Sequence, residues 1–478
     1  MERLLTGEQM RFADEYTINR LGIPHEVLVE RAGYAVAEEI TKRFFGGRVL
    51  VCVGKGNNGA DGKIVAELLS KRHGFSVATL NADNGIFKLF EKKFDIIVDC
   101  LFGTGLNREV TGKYREVIGK INSSGAFVVS CDIASGLNAD NGKVMGVCVK
   151  ADLTVAIQEL KLGQFLNDGP DYSGEIVAKD IGISIWDDDV AHRLRLKDVG
   201  KYFQKRNRNV NKGDFGKASV IGGSNDYPGS IILAYNALTA LKMGVGYAYL
   251  SIPKSLIPTA LTVCPEAVIN AFDNDCGGCE ESNLEKLLSC NAISIGMGMT
   301  AEEKTYNAVK YLLENYSGKL IIDADGINAL AKYGKEILKN KKCEVVLTPH
   351  VGEFSRLINL DKSLVIENPV PLTKRFAKEY GVTVVLKSAV SVISDGEITF
   401  INTSGNSGMA KAGSGDVLSG LIAGLFARGL SGAEGAAVAT LIFGLSGDEA
   451  AKEQTEYTIT ASDIISSIPK VIRRISPD

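Results

Sequence analysis

Apolar residues in this chain fall into short strand-like runs that alternate with stretches of helical spacing. In the first half, strands are predicted at 48–53, 75–80, 94–100 and 127–131, with helices at 64–72 and 114–122. Two helices come earlier. Thr6-Gly7-Glu8-Gln9 forms a capping-box pattern opening the first, which ends near Gly22-Ile23-Pro24. Val27, Leu28, Ala32, Val36 and Ile40 give the second its buried stripe. The pattern lapses over 186–214, where Asp187-Asp188-Asp189 and Lys205-Arg206-Asn207-Arg208-Asn209 replace apolar periodicity, as in a linker or domain boundary. Alternation resumes at 218–224, with a helix over 231–243 after the turn Tyr227-Pro228-Gly229-Ser230. Strands follow at 292–295, 320–322, 344–347 and 382–386, then a hairpin of 390–393 with 398–401 across Asp395-Gly396. The apolar run 417–425 reads as a core helix.

Strand–helix alternation implies parallel sheets covered by helices on both faces, the α/β class. At 478 residues the chain exceeds one typical domain, so two are expected. A net charge of −3 gives no electrostatic reason to expect nucleic acid or membrane partners. The charged, polar N-terminus and the lack of a bilayer-length apolar run suit a cytoplasmic protein. Of nine cysteines, Cys52, Cys100 and Cys131 lie in strand-like runs and read as reduced core thiols. The lone pair Cys276-Gly-Gly-Cys279 lacks the second half of a zinc site.

In parallel sheets ligands collect at the carboxyl ends of strands, so the polar residues there carry the candidate chemistry. Gly54-Lys55-Gly56-Asn57-Asn58-Gly59 fits G-x-G-x-x-G between a strand and a helix, the setting of a dinucleotide site. However, Asp61, Asp99 and Asp132 converge where a pyrophosphate would have to sit, and the expected acid after the second strand is missing. Carboxylates beside an asparagine suit a bound cation or a proton-transfer base better.

The most informative stretch is Asn406-Ser407-Gly408-Met409-Ala410-Lys411-Ala412-Gly413-Ser414-Gly415-Asp416, ahead of the core helix. Unpaired N–H groups and the positive dipole end meet at such a helix start, ready for an anion. A carboxylate in that turn would repel phosphate, so Asp416 makes chemical sense as a base taking a proton from a hydroxyl. The alternative is an ordinary first-turn acid. No P-loop pattern is present. His350, in Thr348-Pro349-His350-Val351-Gly352-Glu353, and Lys387, just past an apolar strand, are further candidates for substrate and phosphate contact.

These motifs carry a resemblance over nearly the whole chain. The segments 57–62, Asp99, Gly103-Thr104-Gly105 and Asp132-Ile133-Ala134-Ser135-Gly136 resemble the epimerase domain of the NAD(P)H-hydrate repair enzymes. The order of strand ends finishing in residues 406–416 is similar to ribokinase-like folds, and most of all to the fused ADP- or ATP-dependent NAD(P)H-hydrate dehydratase. The resemblance implies two three-layer α/β/α domains: a Rossmann-like epimerase domain over 1–200 and a ribokinase-like dehydratase domain over 201–478.

For the epimerase it implies substrate contacts from Asn57, Asn58, Gly59, Ala60, Asp61, Gly103, Thr104, Gly105, Leu106, Asn107, Arg108 and Asp132. Asp132 would be the proton-transfer acid, and Asn58, Asp99 and Ser135 would hold potassium. Ala60 and Ala134 depart from the family's usual glycine and proline. For the dehydratase it implies that Ser230, Gly298, His350 and catalytic Asp416 face the hydrated nucleotide. ADP would meet Lys387, Ser388, Ala389, Val390 and Ser391 together with Asn406, Ser407, Gly408, Met409, Ala410, Lys411, Ala412, Gly413, Ser414 and Gly415. Mg²⁺ would accompany the ADP or ATP, the substrates would be hydrated NADH and NADPH, and the assembly a homo-oligomer. A small-molecule kinase of vitamin or sugar type with a regulatory first domain is the alternative, followed by a nucleotide sensor and a nicotinamide dehydrogenase.

Overall fold

Each strand that the alternation predicts is present, among others that it did not mark. The computed structural model describes residues 1–84, 87–187, 189–238, 243–273 and 279–476. The chain divides into an N-terminal unit, Glu2–Ala191, and a C-terminal unit comprising His192–Asp478 with Met1.

In the N-terminal unit the strands are β1 (Glu2–Leu5), β2 (Gly47–Val53), β3 (Phe75–Asn81), β4 (Ile96–Cys100), β5 (Phe127–Cys131), β6 (Leu153–Ile157), β7 (Leu160–Lys161) and β8 (Glu175–Lys179). Six of them form a wholly parallel sheet in the order β3-β2-β4-β5-β6-β8. β1 pairs with β7 in parallel, with Leu5 opposite Lys161. β4 and β6 are buried along their whole length, as strands covered on both faces must be. The sequence reading missed β1, β6, β7 and β8: β1 and β7 are short, β8 has charged ends, and β6 is a fully buried apolar run that was not marked.

The first helix, Gly7–Asn19, has the capping box that Thr6 and Gln9 foretold. The second, His25–Arg43, buries Leu28, Ala32, Val36 and Ile40. The third, Asn57–Ser70, begins earlier than its apolar spacing suggested. Its N–H groups therefore start at the glycine-rich segment rather than after it. Ala60 N donates to Gly56 O at 3.2 Å within the first turn of that helix, so its methyl asks for no unusual torsion.

β9 (Ala191–Arg193) leads into the C-terminal unit, whose strands are β10 (Lys217–Ile221), β11 (Tyr247–Pro253), β12 (Val268–Phe272), β13 (Ala292–Ile295), β14 (Lys319–Ile322), β15 (Glu344–Leu347), β16 (Thr383–Leu386), β17 (Ser391–Ser394) and β18 (Thr399–Asn402). The order β12-β11-β10-β13-β14-β15-β16 is parallel, and the β17–β18 hairpin continues it antiparallel. The stretch expected as a linker is partly ordered: it contains β9 and the short helix Leu196–Val199, with Val199 and Phe203 buried in the core.

Helix Ser414–Ala427 is buried over nearly its whole length. Gly420 explains how: a Cβ there would lie 2.1 Å from Ala234 O on helix Pro228–Leu238, so only glycine permits this approach. Leu421, Ile422, Leu425 and Phe426 are fully buried, each stabilising by about 1.5–3 kcal/mol. The expected turn at 227–230 is in fact the start of helix Pro228–Leu238. Proline suits that place because its missing N–H would be unpaired there anyway. The predicted extension to 243 falls partly on residues 239–242, outside the described residues. Cys276 lies outside them too; the other eight cysteines are free thiols in buried positions.

Candidate functional site

Each unit gathers acids at the carboxyl ends of its parallel strands. In the N-terminal unit, the turn after β2 is held by direct backbone approach. A Cβ on Gly59 would meet Gly54 O at 2.0 Å, and one on Gly54 would meet Leu101 O at 2.1 Å. That turn aims the start of helix Asn57–Ser70 at the ends of β4 and β5. Asn58 Nδ2 donates to Phe102 O at 2.6 Å and to Cys131 O at 3.2 Å, while its Oδ1 is buried without a partner. Asp99, fully buried, accepts from Ser130 Oγ at 2.8 Å, Ser135 N at 2.9 Å and Leu101 N at 3.2 Å. Burial pushes its carboxyl up, against the pull of these hydrogen bonds. Ser135 Oγ accepts from Phe102 N at 2.9 Å and donates to Phe102 O at 3.2 Å. Asn58, Asp99 and Ser135 thus meet around one peptide.

Asp132 sits in left-handed backbone, φ 69°, a conformation costing a non-glycine residue on the order of 1–3 kcal/mol. Its carbonyl accepts from Gln164 Nε2 at 3.0 Å and its Oδ1 from Ile157 N at 3.2 Å. Its carboxylate also pairs with the ammonium of Lys161, which is 0% exposed and further donates to Ile157 O at 2.6 Å and Glu159 O at 2.8 Å. A Cβ on Gly103 would fall 3.6 Å from both Asp132 Oδ2 and Asn58 Cβ, so the three strand ends do converge. Asp61 is pushed up to about 8 by burial first, then by the charges of Asp132 and Asp14. Asp14, on helix Gly7–Asn19, is pushed up to about 6 by burial and by Asp132. Asn57, Gly105, Asn107 and Arg108 are exposed, with Ala60, Thr104 and Leu106 half-buried. Ala134 is fully buried.

In the C-terminal unit, Gly413 (φ 90°) precedes helix Ser414–Ala427 and places Asp416 in its first turn. Asp416 is 9% exposed and hydrogen-bonded by Ser230. It is pushed up to about 7, by burial first and then by the charge of Asp323, with Lys387 opposing. A Cβ on Gly298 would lie 3.3 Å from Ser230 Cβ, so Ser230, Gly298 and Asp416 share one place. Lys387 Nζ is 3.0 Å from where a Cβ on Gly415 would be, and 2.8 Å from Asp323 Oδ1. The Ser414 hydroxyl is buried with no partner, while Ser414 N donates to Lys411 O at 3.3 Å.

His350 caps helix Val351–Ile358, its Nδ1 accepting from Gly352 N at 2.9 Å and Glu353 N at 3.2 Å. An acceptor Nδ1 leaves the proton on Nε2. Burial and the Lys387 charge lower its pKa, which favours that neutral form. A parallel bridge joins His350 to Lys387.

Other members of the glycine-loop set are hydrogen-bonded within the protein. Asn406 accepts from Gly408 N at 3.1 Å and donates to Asp448 at 3.1 Å, and Ser407 bonds Glu456. Lys411 Nζ donates to Tyr457 O at 2.9 Å and Ile459 O at 2.6 Å. These side chains brace the loop, while the exposed Ala410 and Ala412 and the half-buried Met409 line it. Ser388 and Ala389 are exposed in the β16–β17 connection, followed by half-buried Val390 and Ser391.

Comparison with known proteins bears on both sites. A family model described as NAD(P)H-hydrate dehydratase matches residues 218–470. A second, described as YjeF-related protein N-terminus, matches residues 25–86 and 78–163. The chain is 35% identical to the bifunctional NAD(P)H-hydrate repair enzyme Nnr of Thermofilum pendens, over 98% of this chain and 96% of that protein. It therefore belongs to the bifunctional NAD(P)H-hydrate repair enzymes. The Moorella thermoacetica member is 32% identical, over 99% of this chain and 97% of its own length.

Among solved structures, the ADP/ATP-dependent NAD(P)H-hydrate dehydratase of Bacillus subtilis, co-crystallised with ATP and Mg²⁺, is 26% identical with a TM-score of 0.52. It covers 60% of this family member's chain and 99% of its own. A ribokinase-like superfamily protein of Enterococcus faecalis scores 0.53 at 25% identity, covering 62% and 99%.

Two residues of this family member escaped the sequence reading: Asp14 and Lys161. Lys161 follows the apolar strand β6, but a lysine is so rarely buried that nothing in sequence distinguishes it from a surface residue. Asp323 follows the predicted strand 320–322 in the sequence Asp323-Ala324-Asp325, and packing shows which of the two acids turns inward: Asp323 is 1% exposed.

Proposed function

We propose that this chain repairs hydrated nicotinamide nucleotides, its C-terminal unit dehydrating the S form with ADP and its N-terminal unit interconverting the R and S forms. The observation that carries the first activity is Asp416: a carboxyl pushed up to about 7, in the first turn of a helix, beside a lysine.

Hydroxide leaves poorly from the C6 carbon of the hydrated ring. Asp416 takes the hydroxyl proton as the oxygen attacks the terminal phosphorus of ADP, and AMP departs. The C6–O bond then breaks, pushed by the ring nitrogen's lone pair. Phosphate leaves, a proton is lost from the adjacent carbon, and the dihydronicotinamide is restored. A base of pKa near the working pH suits this step. Ser230 orients the carboxylate, while Lys387, the first amides of helix Ser414–Ala427 and the partnerless Ser414 hydroxyl receive phosphoryl charge. His350, donating from Nε2, meets the substrate.

Among the described residues no three His, Cys, Asp or Glu side chains are grouped to hold a metal, and both Asp323 oxygens are engaged. Mg²⁺ would come with the ADP and supply positive charge, beside that of Lys387, as the phosphoryl group moves.

In the N-terminal unit Asp132, in strained backbone and paired with Lys161, is the proton-transfer group for epimerisation at C6. Potassium fits Asn58, Asp99 and Ser135, because Asn58 Oδ1 is a buried acceptor lacking a donor. It would supply a fixed positive charge at the ends of β4 and β5. Epimerisation and dehydration are assigned to the N-terminal unit and the C-terminal unit respectively.

One assay tests the reading: hydrated NADH with ADP and Mg²⁺ should regain reduced-ring absorbance, and the R epimer should be consumed as well as the S. Accumulation of a stable phosphorylated product would instead favour a kinase.

A further inference from the structure

Lys387 stands where a cation for phosphate is needed, yet it is tethered from below by Asp323. Asp323 occupies the cap position of helix Ala324–Tyr333, where an aspartate ordinarily bonds the helix's own first N–H groups. It makes no such bond. One oxygen meets Lys387 Nζ at 2.8 Å and the other accepts from Ser419 Oγ at 2.6 Å. Ser419 lies three residues after Asp416 on the same helix and is 3.4 Å from Thr348 Oγ1. A carboxylate 1% exposed therefore ties the lysine to the helix that carries the base.

The charged and polar groups facing Asp416 are Asp323 and Asp325 from the end of β14 and the following helix, Lys387 from the end of β16, and Ser230 from helix Pro228–Leu238. Lys387 in turn faces Glu353 and His350. Asp323 is the strongest charge acting on Asp416.

We propose that Asp323 is a positioning residue for phosphoryl transfer: it fixes the Lys387 ammonium against the Gly413–Gly415 turn and supplies the negative charge that keeps Asp416 a proton acceptor. The inference rests on Asp416 being the base.

Asp323→Asn tests it, because the amide can still accept from Lys387 and donate to Ser419 while its charge is gone. In the full-length protein, ADP-dependent dehydration should lose about 30-fold in kcat while KM for ADP changes less than about threefold. Removing the negative charge, with Lys387 left unneutralised, lowers the pKa of Asp416. The acid limb of the kcat–pH profile should therefore move down by about one unit.

Epimerisation should stay near wild type, while the thermal midpoint falls because the Lys387 ammonium loses its carboxylate. A kcat within about threefold of wild type, or a loss of kcat with the limb unmoved, overturns the proposal. Should the asparagine variant not fold, Asp323→Glu carries the test: the limb should stay and kcat should fall, and wild-type kcat would overturn the idea. Failure of the base assignment shows separately, as dehydration surviving in Asp416→Ala.

Discussion

The two units use the same ingredients, an aspartate at a strand or helix end with a lysine and a further carboxylate nearby, and arrange them differently. In the N-terminal unit the buried lysine sits on Asp132 itself, and the other acids, Asp61 and Asp14, are the ones pushed up, to about 8 and about 6. In the C-terminal unit the lysine belongs to Asp323, and Asp416 is the acid pushed up, to about 7. At all three shifted acids burial is the first cause and a neighbouring aspartate the second, Asp132 for Asp61 and Asp14 and Asp323 for Asp416.

The largest expected effect separates the two sites outright. Asp416→Ala should lower ADP-dependent dehydration by about 10³-fold or more, leaving the rate of R/S interconversion unchanged by chromatographic epimer ratio. Residual dehydration at the wild-type rate would remove the base from the mechanism.

Breaking the direct pair comes next. Lys161→Met should cut epimerisation by about 100-fold and leave dehydration of the S form intact. It should also destabilise the unit by roughly 3–5 kcal/mol through the uncompensated Asp132 charge, read by urea unfolding. Unchanged epimerisation would mean that the pair is only structural.

The pH dependence sharpens the contrast. Dehydration needs ionised Asp416, so its kcat should rise about tenfold per unit below pH 7 and level off above. The limb should vanish from epimerisation measured on the same protein.

The smallest effect is on stability. Asp61 binds its proton more tightly in the folded chain, about 8 against 3.8 in the ordinary carboxyl. Its contribution to stability is therefore full below about pH 4 and lost as pH rises through about 8. Asp61→Asn should raise the thermal midpoint by about 2–4 °C at pH 8 and leave it unchanged at pH 4.

Much of this molecule was legible beforehand. The repeated strand–helix period marked the parallel sheets, since burial on both faces demands continuous apolar strands and alternate helices. Asp99, Asp132 and Asp416 stood out because polar residues at strand ends and glycine-rich helix starts have few purely structural reasons to be acidic there. Local chemistry carries that kind of information: it depends on neighbours along the chain.

What the chain alone could not decide is which partners those acids take. Lys161 lies 29 residues or so beyond Asp132, and Lys387 lies 64 positions from Asp323. Lys411, the cation nearest Asp416 in sequence, turned out to be held by the carbonyls of Tyr457 and Ile459. Burial and charge pairing act through space and fall off within a few ångströms, so proton affinity at each site was settled only when the sheets brought distant residues together.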